Sequence, residues 1–171
     1  MRPAASEYAA HFERYVSLVG EGDVVPAMKA QAHDLRLRLD ALTDQQAGFR
    51  YAPDKWTPRE MLGHVIDCER IFGYRAVCLA RGESQSLPGF EQDDYAAVAG
   101  HDLVPLTDLV DEFAALRTSH VHMFSHFDEP AWTRMGLVNG HATSARAMAF
   151  VIVGHARHHV NVLRDRYGLF S

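Results

Sequence analysis

Residues 57–82 read TPREMLGHVIDCERIFGYRAVCLARG, and the rest of the chain can be arranged around them. Thr57 is a capping residue, Pro58 suits the first helical position, and Glu60 stands where a capping box places its acid. Met61, Val65, Cys68, Phe72, Ala76 and Leu79 then recur at three- or four-residue spacing, the signature of one buried helix face. Gly82 is the expected terminator. One histidine, His64, lies on the flank of that face, seven residues after the cap. At about 1.5 Å per residue it stands roughly 10 Å from the helix start. That height constrains how the other helices run.

Three further stretches carry a helical period. The first covers 24–41, with Met28, Ala32, Leu35 and Leu39 inward, and a shorter helical piece over 7–18 precedes it. The third helix covers 105–127, with Leu109, Val110, Phe113, Leu116 and Phe124 on its inner side. The fourth covers 144–167 and stops at Gly168. Residues 83–104 are broken by Pro88, Gly89 and Gly100 and read as one long connection, and 128–143 reads as a loop. Strand-like alternation is nearly absent. The pattern predicts an all-α fold, a four-helix bundle, occupying residues 1–171 as a single domain.

The chain holds eleven histidines, and their positions on the helical wheel sort them. On the fourth helix Met148, Val151, Ile152, Val162 and Leu163 define the apolar stripe, and His155 and His159 fall in its middle, one turn apart. An i,i+4 pair is the spacing at which two imidazoles of one helix chelate one ion. His158 lies at the stripe's edge. The rival pair, His122 and His126, points away from the inner side of the third helix and should be solvated. His120 faces inward alone, the usual setting of a hydrogen-bonded core histidine. His11, His33, His101 and His141 have no partner at ligand spacing.

Two histidines need a third ligand, and His64 is at the right height only if the second and fourth helices are antiparallel. His155 and His159 lie twelve and eight residues before Tyr167, or roughly 12–18 Å from the end of their helix. A simple up-down-up-down bundle would make the second and fourth helices parallel. A long crossover connection between helices 2 and 3 reverses that, and residues 83–104 are long enough to supply it. The residues alone leave two readings open, a metal triad or three satisfied core histidines. One divalent ion would engage three buried nitrogens at once, which favours the metal.

Composition narrows the function classes. With 47% hydrophobic and 23% charged residues the chain reads as an ordinary globular protein, and a net charge of −5 without any basic cluster argues against nucleic acid. The longest apolar run falls far short of the roughly 20 residues of a membrane span, and the first twenty residues lack a signal-peptide core. Cys68 and Cys78 on one helix would be roughly 15 Å apart, too far for a disulfide, so a reduced, cytoplasmic protein is expected.

The segments KWTPREMLGHVIDCERIFGYRA (55–76) and GHARHH (154–159), with RYAPDKW (50–56) and LPGFEQDDY (87–95), resemble the DinB-like metalloprotein superfamily, the DNA-damage-inducible helical proteins, over roughly residues 24–167. The resemblance implies a four-helix bundle with a long second connection and a divalent metal held by His64, His155 and His159. It also implies homodimers in many members, and relatives that are thiol transferases or thiol-dependent isomerases using bacillithiol or mycothiol.

Three neutral nitrogens leave an ion its full charge and open positions, which suits activation of water or of a thiol. Zinc or nickel is the expected metal, with iron or copper compatible with the same donors. Cys68, one turn after His64, would make the site inert if it closed the coordination. Asp67 is a candidate to orient a ligand or act as a base, and Arg75 a candidate partner for a buried acid or an anionic substrate. Trp56, Phe90 and Tyr95 are candidate pocket walls. The leading expectation is a metal-dependent transferase that conjugates a low-molecular-weight thiol to small electrophiles. A metal-dependent hydrolase and a non-catalytic metal-binding stress protein are the alternatives.

Overall fold

Pro58 stands in the first turn of the longest helix, and Thr57 and Glu60 exchange the two hydrogen bonds of a capping box at 3.2 and 2.6 Å. The helix runs to Arg81 and ends on Gly82 at φ 85°, a left-handed position that costs glycine nothing. In the computed structural model, which describes residues 1–170, the α-helices in chain order are α1 (Glu13–Val16), α2 (Val24–Asp40), α3 (Asp44–Ala47), α4 (Pro58–Arg81), α5 (Gln92–Ala99), α6 (Leu106–Ser125), α7 (Glu129–Thr133) and α8 (Ala145–Tyr167). Strands β1 (Met135–Val138) and β2 (His141–Ser144) form one antiparallel hairpin. The four predicted helices are α2, α4, α6 and α8.

Contacts along the bundle fix the directions. Thr57 reaches Asp102, Glu69 reaches Arg117, and Arg81 lies over the Phe127 ring, so α4 and α6 are parallel. Met61 packs in one cluster with Leu163, and Arg134, just before the hairpin that leads into α8, donates to the carbonyl of Ala80, so α4 and α8 are antiparallel. Gln31 donates to Val153 O at 2.9 Å and Arg38 to Phe170 O at 3.4 Å, which sets α2 parallel to α8. The fold is a four-helix bundle with its crossover between helices 2 and 3.

Three connections differ from the expectation. Residues 83–104 are not irregular throughout, because α5 forms between the acids Asp93 and Asp94 in its first turn and Gly100 at φ 68°. None of its residues is buried, so it has no apolar stripe to betray it. Residues 128–143 are not a loop. Asp128 caps α7, and Asn139 (φ 49°) and Gly140 (φ 75°) make the tight turn of the hairpin. The start of the crossover is pinned to this hairpin, with Leu87 N donating to Leu137 O and Asn139 N to Leu87 O. Finally, the 7–18 piece is two 3-10 turns followed by α1.

No described helix is long and apolar enough to cross a membrane. The bundle interior is largely apolar, and one ionic network crosses it. Arg117, 0% exposed, donates to both carboxylate oxygens of Glu69 at 2.7 and 2.6 Å and to Gln31 at 2.7 Å. His120 completes it at 3.1 Å from Glu69. Burial alone would raise the Glu69 carboxyl, but Arg117 and His120 outweigh it and hold the group below its usual range.

Candidate metal centre

His64 projects from the second turn of α4, and His155 and His159 from the middle of α8, and the antiparallel packing of these helices brings the three together. His155 Nε2 lies 3.2 Å from His64 Nε2 and 3.1 Å from His159 Nε2. His64 and His155 are buried, and His159 is half-buried. Among the described residues these three form the group of ligand atoms within 4.8 Å of one another that suits a metal ion.

The donor set passes a simple test of fit. An imidazole nitrogen carries either one proton or one in-plane lone pair, so His155 Nε2 can take part in only one ordinary hydrogen bond. Its second close neighbour is then left facing it without a complementary proton or lone pair. A tetrahedral ion with nitrogens at about 2.0–2.1 Å places them about 3.3 Å apart, close to both measured separations. Burial pushes His64 down to about 4. Burial, reinforced by the neighbouring imidazoles, also pushes His155 and His159 well below the usual range. The rings are therefore neutral at pH 7, the form that offers lone pairs to a metal.

Aromatic rings enclose the cluster. Trp56 lies 4.7 Å from the His64 ring, and Tyr15 and Phe72 meet His155 edge-on at 5.1 and 5.6 Å. Tyr15 comes from the broken amino-terminal segment and was not singled out by periodicity. The signal for it was Gly154, since a Cβ there would overlap the main-chain carbonyl of Tyr15. His159 Nδ1 is sealed from solvent without a hydrogen-bond partner, so ring packing rather than a carboxylate holds its orientation.

The remaining candidates fall outside the cluster. Cys68 Sγ rests 3.7 Å from both ring nitrogens of His64 but is not among the atoms in mutual reach, and burial pushes its thiol up to about 12. Asp67 is not brought to the triad; it faces Arg70 at 3.5 Å and His101 at 3.7 Å. His158 packs on Tyr15, His122 and His126 are exposed, and His120 binds Glu69.

Two clefts lead to the histidines. One, of about 260 Å³, ends at His155 and is walled by Tyr15, Cys68, Phe72, Arg75 and Phe90. The other, of about 390 Å³, ends at His159 beside Trp56, Met61 and Tyr167. Asp93 of α5 lies on both. Tyr95 packs on Phe90 behind the first. A third cavity, of about 480 Å³, lies against Phe124, Trp132 and Phe150 towards the far end of the bundle and touches none of the three histidines.

Residues 27–163 match the model of the DinB superfamily, and the chain belongs to that family. In structure it is similar to YfiT from Bacillus subtilis, described as a probable metal-dependent hydrolase with an unusual four-helix bundle topology. The TM-score is 0.73 at 14% identity, covering 99% of this chain and 94% of that one. It is also similar to the mycothiol-dependent maleylpyruvate isomerase, with a TM-score of 0.66 at 12% identity, covering 86% of this chain but only 60% of the isomerase. Comparison with curated protein sequences finds no significant match.

Proposed function

We propose that His64, His155 and His159 hold a divalent metal ion, zinc or nickel, and that the protein is an enzyme joining a low-molecular-weight thiol to a small electrophile. The observation that carries this reading is the convergence of two separate clefts on one three-nitrogen cluster, one at His155 and one at His159. Two approaches suit a transfer between two small molecules, whereas hydrolysis is served by one approach and water. When bound, the ion supplies positive charge that favours the anionic form of a thiol or of water at neutral pH.

The chain's own residues supply the rest. Tyr15, Phe72 and Trp56 exclude bulk water from around the rings, which strengthens electrostatic interactions there. No carboxylate is hydrogen-bonded to any of the three imidazoles among the described residues, so no fixed general base stands beside them. In the reaction a carbon–sulfur bond forms, the leaving group departs with its electron pair, and the thiol proton passes to solvent.

The structural similarity to the mycothiol-dependent isomerase supports this reading, and the description of YfiT supports a second one, metal-dependent hydrolysis. Elemental analysis of protein purified without added metal, repeated on His64→Ala, tests the centre itself. Metal-loaded protein is then offered thiols with chloro- and epoxide electrophiles, and separately esters and amides. Conjugation is expected. Ester cleavage without thiol turnover would transfer the assignment to the hydrolase, and metal bound with neither activity would leave a binding protein.

A further inference from the structure

The cleft that ends at His155 contains a buried cation with no counter-ion among the described residues. Arg75 is 4% exposed, and its one hydrogen bond among the described residues runs from Nη2 to the carbonyl of Pro88 at 2.6 Å. Nε and Nη1 have no protein partner among the described residues and neither is sealed off, and Nη2 keeps a second N–H, so one two-donor edge, Nη2 with either Nε or Nη1, stays free towards the cleft. The group sits between two aromatic rings, 5.9 Å from the centroid of Phe72 and 5.4 Å from that of Phe90.

Arg117 provides the contrast. It is equally buried, but its nitrogens are spent on Glu69 and Gln31. Arg117, the other buried arginine among the described residues, has its acid beside it. Arg75 has none, and burial without an anion is costly enough to lower its pKa. Glu91 and Asp93 lie on the cleft, but both are exposed and neither forms an ion pair with it.

We propose that Arg75 is an anion-binding residue of this cleft and that the substrate it receives is a small molecule carrying a carboxylate, gripped by the free edge of the guanidinium while its other end reaches the histidines. The planar fork matches a carboxylate in two-point contact. Arg14 also lines the cleft, but it is exposed, as are Glu91 and Asp93, so Arg75 is the buried cation that an anion entering the cleft would meet. The proposal rests on the functional reading above for identifying the cleft as a substrate site, and it adds the substrate's chemical class.

Isothermal titration with matched probes tests it. Zinc-loaded protein is titrated with 3-mercaptopropionate and with its neutral amide, and then with the S-methylated form of each, which has no thiol to give. The carboxylate should bind at least tenfold tighter than the amide in both pairs, and the preference should vanish in Arg75→Gln. Arg75→Lys keeps the charge but not the fork and should lower the preference at least threefold, which preserves the test if the glutamine variant does not fold. Equal affinity for acid and amide, binding by neither, or a preference unchanged in the variants would overturn the proposal. If the free thiols gain nothing over their S-methylated forms, the thiol reading fails, while the acid–amide comparison still decides Arg75.

Discussion

Gly154 of α8 lies against the main chain of Tyr15, so close that a Cβ at 154 would overlap the Tyr15 carbonyl oxygen. This contact seats α1 on α8 and puts the Tyr15 ring edge-on to His155 at 5.1 Å. Gly154→Ala must push two backbones apart, which neither can do by changing a rotamer. A loss of about 1–3 kcal/mol in urea unfolding is expected. Alanine is otherwise the better helix former, so an unchanged or raised stability would mean that the two segments are not packed this closely.

Occupancy of the three-histidine centre should be visible in stability. A ligand that binds only the native state adds about 2.7 kcal/mol at a hundredfold excess over its dissociation constant. The melting temperature should rise on adding zinc or nickel and fall back with a chelator. His155→Ala should abolish the rise, while His122→Ala, on an exposed face of α6, should leave it intact. Equal responses in both variants would place the metal elsewhere.

The Glu69 network predicts the response to acid. Its carboxyl is held below the unfolded value of 4.5 because Arg117 and His120 outweigh the effect of burial. The folded pKa is thus depressed, so this stabilisation is complete above about pH 4.5 and is lost as pH falls through the lower, folded value. Urea unfolding between pH 7 and pH 3 should show stability dropping below that point. Glu69→Gln should flatten the drop at the cost of a lower plateau at pH 7. Arg117→Met, which strands a buried carboxylate, should cost about 3–5 kcal/mol at neutral pH.

The helices that carry the centre were legible because their signals are local. Thr57, Pro58 and Glu60 start α4, Gly82 ends it, and the wheel positions of His155 and His159 separate them from nine other imidazoles. The antiparallel pairing of α4 and α8 followed from the height of His64 only with the three histidines as one site and residues 83–104 as a crossover. Elements without a buried face were not legible. Helix α5 buries no residue, and the strands of the hairpin are four residues each, too short to show an alternation, although Asn139–Gly140 was a turn signal. The partners of Asp67 were not legible for a different reason. A wheel gives an angle but not the neighbour that occupies it, and His101 from the crossover packs over Gly63 and takes Asp67 as its partner. The charges of Glu69 and Arg117 were overlooked because each interrupts an apolar face that only the other makes tolerable.

Cys68 offers the sharpest test of whether the centre keeps a free position. Its sulfur touches the His64 ring at 3.7 Å, yet burial pushes the thiol up to about 12, so without a metal it stays protonated at neutral pH. A structural zinc would recruit this thiolate as a fourth ligand, whereas three histidines alone leave room for exchange. Cys68→Ala should therefore retain metal at the wild-type ratio by elemental analysis, with its stability lowered only by the lost packing of a small buried side chain. Cobalt-loaded wild type should show no sulfur-to-metal charge-transfer band until an external thiol is added. A band in the protein alone that disappears in Cys68→Ala would mean that the coordination is closed from within, and the two clefts would then lead to an inert ion.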